Sequence, residues 1–414
     1  MKVNTDSASI ERVLSRGVEV VYPSVGKFTE KLQSGTQMTF YLGLDPTGPT
    51  LHIGHMIQVR KLAQFQQLGH RVILLIGDFT AQIGDPTGKD KARVPLTHEQ
   101  VLENAKLYKK QAAKFLKFSN VENPAQLKYN AKWLGKLKFD QIIQIASHFT
   151  VQQLLERDMF ERRMKDGKPI GLHEFLYPLM QGYDSVAIDV DVEVCGNDQV
   201  FNTLVGRDLV KHLLGREKFV VANKLLVDET GMKMGKSEGN MIAMTDSAND
   251  MYGKIMAIPD SLIPIHFELL TDIPVSQVKK WETELSPRDW KARLAYEIVK
   301  TFHSEKKAKS AEKYFREVFQ KREVPLDEIP LRVIKKSQMV VAKEGVITAC
   351  DLCHMAGLVA SNNEVRRLVE QKGLKVNHQP VASADQDFSG QSEFLIQKGK
   401  RHFVKIVIED EMGT

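Results

Sequence analysis

Hydrophobic positions near the start of the chain fall into two kinds of run. MTFYLGL (Met38 to Leu44) and RVILLIG (Arg71 to Gly77) are almost continuously apolar, and between them a segment from about Gly54 to Leu68 has helical periodicity and stops at Gly69. Apolar strands on either side of a helix predict a parallel sheet covered on both faces, with ligands gathered at the strands' carboxyl ends. A helix-rich segment from about Phe139 to Arg163, then SVAIDVDVEVCG (Ser185 to Gly196) read as a strand, continue the pattern. The expected fold is α/β, with a Rossmann-like parallel-sheet domain over residues 1–247. Residues 248–323 have helical periodicity and few strand signals, and residues 324–340, with two prolines in VPLDEIPL, read as a linker. Residues 341–414 form a small α+β module, in which two short helices precede two strands around KGKR. No internal repeat or low-complexity segment interrupts this order.

Composition narrows the class. The 414 residues are 42% apolar and 27% charged, no apolar run approaches 18 residues, and the N-terminus is not signal-like, so a globular protein kept in the cytoplasm is expected. Three cysteines are too few for a disulfide framework. A net charge of +6 over this length says little about partners. The densest basic run, Lys300 to Arg322, reads first as a solvated helix face and second as an RNA-facing stripe.

The chemistry gathers at LHIGHM. His52 and His55 supply two metal ligands at most, no nearby Cys or Glu completes a site, and both sit where a strand turns into a helix rather than inside either element. That turn is rich in Gly and Pro (Gly43, Pro46, Gly48, Pro49, Gly54) and ends at a helix N-terminus, which favours anions. Phosphate is the expected ligand, held by imidazole donors and by backbone that Gly54 leaves accessible. GDPTGKD (Gly84 to Asp90) looks phosphate-like but has one residue too few between its glycines for a Walker loop, and no Ser or Thr follows Lys89. GMKMGKSEGN (Gly231 to Asn240) carries two lysines among glycines, which by itself is most simply a surface loop with solvated cations.

Together, HIGH and KMGKS resemble the two motifs of class I aminoacyl-tRNA synthetases, with Gly235 where the usual KMSKS has Ser. Further matches point to the tyrosyl branch: YLGLDPT, GDFTAQIGDPTGK, YPLMQGYD and GNDQ. The resemblance spans essentially the whole chain. It implies that Tyr41 and Asp184 meet a tyrosine phenol, while Asp85, Tyr177 and Gln181 hold the α-ammonium, with Thr80 also at the tyrosine and Asn130 supporting Asp184; Tyr177, Gln181 and Asp184, at i, i+4 and i+7, lie on one helix face. It further implies Thr47 and His52 at the ATP γ-phosphate side, His55 at the nucleoside, Gly196 and Asp198 at the ribose, and Gln199 near the reacting carboxylate. Gly43, Asp45, Gly54, Met234, Gly235 and Ser237 complete the ATP site. Lys89, Arg93, Lys233 and Lys236 are implied to neutralise the departing pyrophosphate. Leu42 replaces a small polar residue found in relatives, so a side-chain contact to the ribose is not expected there.

The implied reaction has two steps: in-line attack of the tyrosine carboxylate on the α-phosphorus of Mg²⁺-bound ATP, then transfer of the tyrosyl group to the 3′ end of tRNA(Tyr). No dedicated protein metal site and no covalent enzyme intermediate are expected. A homodimer is implied, with the apolar helix around FDQIIQIASHFTVQQLLE as a candidate interface. The last module resembles an S4-type RNA-binding domain, most clearly in SNNEVRRLVEQKGLKVNHQPV, although residues 331–414 hold 12 Lys+Arg against 10 Asp+Glu, a balance of only +2. CDLCH (Cys350 to His354) matches a haem-attachment spacing, but within an amphipathic helix it reads as packing cysteines. Three rival readings remain at this stage: a tryptophan-specific enzyme, a small nucleotidyltransferase with an HxGH motif, and an RNA-binding protein that keeps the scaffold without aminoacylation.

Overall fold

The computed structural model describes residues 2–87, 96–228, 241–321, 329–336, 339, 341, 345–359, 361–399 and 402–409. Lys89, Arg93, Lys233, Met234, Gly235, Lys236 and Ser237 lie outside them.

Packing divides the chain into two units. The first comprises residues 1–246 and 257–302, the second 247–256 and 303–414. This cuts across the helical segment 248–323: its middle helices pack on the α/β unit, while Ala248–Met256 packs against Glu305–Phe315.

The first unit is built on a six-stranded sheet in the order β1-β6-β5-β2-β3-β4, where β1 is Val18–Tyr22, β2 Thr39–Leu44, β3 Arg71–Ile76, β4 Gln126–Tyr129, β5 Val192–Gly196 and β6 Phe219–Asn223. Only the β1–β6 pair is antiparallel. The chain winds from β2 through the Ile53–Gln67 helix to β3 on one side, and from β5 through the Val200–Leu214 helix to β6 on the other. β2 and β5 are therefore neighbours whose following connections diverge, which opens a crevice at their carboxyl ends. On one face of the sheet Phe28, Phe40 and Phe65 are wholly buried, with the Phe40 and Phe65 rings stacked at 4.2 Å.

The expected β–α–β unit at 38–77 is present within a residue or two. The expected strand 185–196 is not: the Leu172–Ala187 helix runs through Ser185, and the strand begins only at Val192. The expected 139–163 helix-rich segment is three short helices, Phe139–Ala146, Val151–Leu155 and Asp158–Lys165.

In the second unit, β10 (Glu393–Lys398) and β11 (His402–Glu409) form the hairpin expected around KGKR. β7 (Leu331–Lys335) lies within the segment read as a linker and adds to β11 in parallel, while β8 (Leu374–Val376) and the short β9 (Gln379–Pro380) complete the order β7-β11-β10-β8-β9. The Ala349–Met355 and Asn362–Glu370 helices cover this sheet, and Cys350 and Cys353 are buried in its core with Leu352, Val365, Phe394 and Ile406. Asn377 and His378, both at positive φ (50° and 67°), turn β8 into β9.

Candidate active site

The crevice between β2 and β5 is a cleft of about 1160 Å³, its open mouth included. Every expected site residue that the structure describes lines it: Tyr41, Gly43, Asp45, Thr47, His52, Gly54, His55, Thr80, Asp85, Tyr177, Gln181, Asp184, Gly196, Asp198 and Gln199.

Its floor is set by β2 and the Leu172–Ala187 helix. Tyr41 is fully buried on β2, and burial, reinforced by the Glu193 and Asp184 carboxylates, holds its phenol well above the usual range, so it remains an O–H donor. Asp184 accepts from Trp133 Nε1 (2.7 Å) and Asn130 Nδ2 (3.1 Å). Burial nevertheless raises its pKa well above normal, against those two donors. A carboxyl kept this dry favours a partner that donates a hydrogen bond to it, which a phenol hydroxyl does. Tyr177, Gln181 and Asp184 share one helix face because they are four and three residues apart.

The wall beside the floor is a web of hydrogen bonds. Asp45 accepts from Thr80 Oγ1 (2.7 Å) and Tyr177 Oη (2.8 Å), and a side chain at Gly77 would collide with both Asp45 and Thr80. Asp85 accepts from the Thr87 N–H (2.9 Å), Thr87 Oγ1 (2.6 Å) and Gln199 Nε2 (2.8 Å), with Arg157 at 3.4 Å. Burial alone would raise its pKa, but Arg157, Thr87 and Gln199 more than offset this and hold it low. Gln181 donates to Glu193 Oε1 (3.2 Å) and accepts from Asn202 Nδ2 (2.9 Å).

At the mouth, His52 occupies the N-cap of the Ile53–Gln67 helix, where Ser, Thr, Asp or Asn would serve capping better. Its N–H donates to His55 Nδ1 (3.2 Å), so a neutral His55 carries its proton on Nε2. The two rings lie 3.7 Å apart. A Cβ at Gly54 would sit 2.9 Å from the His52 ring, so any larger residue there would displace that ring. The segment that follows the lysine-rich loop pairs with this turn: Ile53 N–H donates to Ile242 O (3.0 Å) and Met244 N–H to Leu51 O (2.8 Å).

Five carboxylates line the cleft (Asp45, Asp85, Asp184, Glu193 and Asp198), and no Lys or Arg is among the described lining residues. Such a lining suits an ammonium group. Cations for phosphate must come from elsewhere, and the four expected ones lie outside the described residues. Five residues engaged with the site escape sequence reasoning: Arg157, Ser185, Glu193, Asn202 and Lys218. Only Trp133 had an accessible signal, standing three residues after Asn130 in one helical turn.

A Rossmann-like sheet with a HIGH turn at its switch point and an ammonium-favouring cleft behind it points to a class I aminoacyl-tRNA synthetase. The model for class I tRNA synthetases of the tryptophan and tyrosine type matches residues 33–320, and the chain belongs to that family. The tyrosine–tRNA ligase of Carboxydothermus hydrogenoformans is 42% identical over 409 residues, covering 96% of this chain and 97% of its own. That of Thermotoga maritima is 42% identical over 402 residues, covering 95% and 96%. Within the class, the chain is therefore one of the tyrosine–tRNA ligases. Solved structures share the fold: an Aspergillus nidulans mitochondrial tyrosyl-tRNA synthetase has a TM-score of 0.64 at 23% identity over 75% of this chain and 94% of that one. An Archaeoglobus fulgidus tyrosyl-tRNA synthetase solved with L-tyrosine has a TM-score of 0.58 at 20% identity over 74% and 100%.

Proposed function

We propose that this chain carries out tyrosine–tRNA ligation with the amino acid lying in the β2–β5 cleft and ATP spanning its mouth. The observation that carries the reading is the pairing of Tyr41 with the dry carboxyl of Asp184 at the cleft floor, a donor and an acceptor for one hydroxyl. The phenol of L-tyrosine accepts from Tyr41 and donates to Asp184, while its α-ammonium meets Asp85, Tyr177 and Gln181. Its carboxylate then faces Gln199 and the nucleotide. ATP enters with Mg²⁺ held by its own phosphates, its phosphates over Thr47, His52 and Gly54 and its nucleoside over His55, Gly196 and Asp198. Attack of the carboxylate on the α-phosphorus forms tyrosyl-adenylate and expels pyrophosphate. Lys89, Arg93, Lys233 and Lys236 stabilise that leaving charge, an interaction strongest in the transition state.

The expected outcome is that His52→Ala or Lys233→Ala slows tyrosine-dependent ATP–pyrophosphate exchange by orders of magnitude, on the scale of about 10²–10³ per lost charge-stabilising group. Near-normal exchange in either variant would overturn these roles.

The second step transfers tyrosine to tRNA(Tyr). The helical segment 248–323 and the S4-like module, whose Asn362–Glu370 helix exposes Arg366 and Arg367, contact the RNA backbone. Replacing both arginines with Ala is expected to weaken tRNA charging while exchange is retained; unchanged charging contradicts the RNA role. Phe139, Ile143 and Val151 leave an apolar face exposed (76%, 54% and 63%), the surface for a homodimer. Sedimentation velocity tests this, a monomer contradicting it. No helix among the described residues is long and apolar enough to cross a membrane, and the protein works in the cytoplasm, which fractionation of the cells that make it would check.

A further inference from the structure

One buried side chain ties two of the expected amino-acid contacts together without lining the cleft itself. Asn202, the third residue of the Val200–Leu214 helix, is 0% exposed. Its Nδ2 donates to Gln181 Oε1 (2.9 Å) and to Gln199 Oε1 (3.0 Å), while its own buried Oδ1 has no partner among the described residues. Asparagine is a weak helix former and an unbonded buried acceptor costs stability, so an apolar residue would suit this position better on packing grounds alone. Each glutamine is held at its other end by a carboxylate. Gln181 Nε2 donates to Glu193 Oε1 (3.2 Å), and Gln199 Nε2 to Asp85 Oδ2 (2.8 Å), with Thr87 Oγ1 more distant at 3.5 Å. Arg157 lies against Asp85, and Glu193 is in contact with Lys218 and hydrogen-bonded with the Tyr41 phenol.

We propose that Asn202 is a positioning residue that fixes Gln181 and Gln199 relative to each other, and so holds the α-ammonium and the reacting carboxylate of the amino acid at a set spacing. The directions of the three amides follow from the two ends of the chain. A carboxylate paired with a cation accepts, so each glutamine turns its N–H toward its carboxylate and its carbonyl oxygen toward Asn202. Two carbonyl oxygens therefore meet at position 202, and the side chain there must donate twice. Asparagine does so through one nitrogen. An aspartate of the same shape presents only acceptors, and turning the glutamines round to suit it would set their oxygens against Asp85 and Glu193. Asn202 stands 21 residues after Gln181 and 3 after Gln199, so its two hydrogen bonds join the Leu172–Ala187 helix to the turn that follows β5. In-line attack needs the carboxylate held at the α-phosphorus, so drift of one glutamine against the other lowers rate as well as affinity.

This inference rests on the proposed placement of the tyrosine α-ammonium at Gln181 and of its carboxylate at Gln199. The test measures kcat and KM for tyrosine in ATP–pyrophosphate exchange for Asn202→Ala, Asn202→Asp, Gln199→Ala and the double variant Asn202→Ala with Gln199→Ala, beside the parent. The expected loss in kcat/KM is about tenfold for Asn202→Ala, as for one buried hydrogen bond removed, and larger for Asn202→Asp. A role in filling space predicts the opposite order, because Asp keeps the volume and Ala does not. The double variant is expected to lose less than the product of the two single losses, since Asn202 acts in part through Gln199. Losses that multiply, the opposite order of Ala and Asp, or parental kcat and KM in folded Asn202→Ala would overturn the inference and leave the placement intact. The cycle needs only the alanine variants, so it decides even where the buried aspartate prevents folding. Parental kinetics in Gln199→Ala would remove the placement of the carboxylate, and the inference with it.

Discussion

His70, in the tight connection before β3, has a fully buried ring whose Nδ1 accepts from the Met38 N–H (3.3 Å), and burial lowers its pKa from 6.5 to about 4. The folded state thus resists the proton that the unfolded chain takes up near pH 6.5. Stability contributed by the neutral ring is complete above pH 6.5 and is lost as pH falls toward 4, by about 1.4 kcal/mol per pH unit within that window. Urea unfolding of the parent and of His70→Gln between pH 7 and 4.5 checks this: the variant should show the shallower pH dependence, and parallel curves would contradict it. His70 was silent in the sequence because nothing in its neighbours marks it as buried. The same contrast runs through the site. Tyr41, His52, His55, Asp85, Tyr177, Gln181 and Asp184 are legible because each belongs to a short motif that resembles one of the tyrosyl branch, and Tyr177, Gln181 and Asp184 also share one helix face by spacing. Lys218, Glu193, Ser185 and Arg157 are not, because they meet partners 12 to 144 positions away across different elements, as in Lys218 with Ser185 at a separation of 33 and Ser185 with Tyr41 at 144.

At the scale of elements, the Leu172–Ala187 helix lines the cleft with Tyr177, Gln181 and Asp184, the Val200–Leu214 helix packs against it, and the two touch through two glycines. A Cβ on Gly182 would meet Gly206 N at 3.0 Å, and one on Gly206 would meet Lys218 Nζ at 2.6 Å and Ser185 Oγ at 3.1 Å. Gly206→Ala should therefore push the helices apart, costing about 1–3 kcal/mol, and raise KM for tyrosine by displacing Lys218 and Ser185. Thermal unfolding and exchange kinetics read the two effects, and a variant with parental stability and KM would show that the crossing is looser than the distances indicate. Element type was legible where periodicity was strong and long, as in the 53–67 helix and the strands beside it. It failed at 185–196, where Val186, Ile188 and Val190 continue an alternating pattern although Asp189, at φ 51°, turns the chain between helix and strand. Charged flanks and two prolines likewise hid β7, an edge strand with Leu331 and Val333 more than half or about half exposed.

For the whole molecule, the sheet order decides where chemistry happens. β2 and β5 place the HIGH turn, Tyr41, Glu193 and Gly196 around one crevice although they lie up to 155 positions apart, and the α/β reading anticipated a ligand there from strand direction alone. Domain limits were harder to read, because helices at 257–302 pack on the sheet unit while their neighbours in sequence pack with the last 110 or so residues, and helical periodicity does not say against which partner a helix is buried. The central claim is that this scaffold selects an amino acid by its phenol and activates it with ATP. Its most direct test is ATP–pyrophosphate exchange by the full chain with tyrosine, phenylalanine and tryptophan in parallel. The account predicts exchange with tyrosine, none above background with tryptophan, and a kcat/KM for tyrosine above that for phenylalanine by about 10⁵, the discrimination for which tyrosine-specific synthetases are themselves the standard example. Comparable values for tyrosine and phenylalanine, or exchange driven by tryptophan, would contradict it.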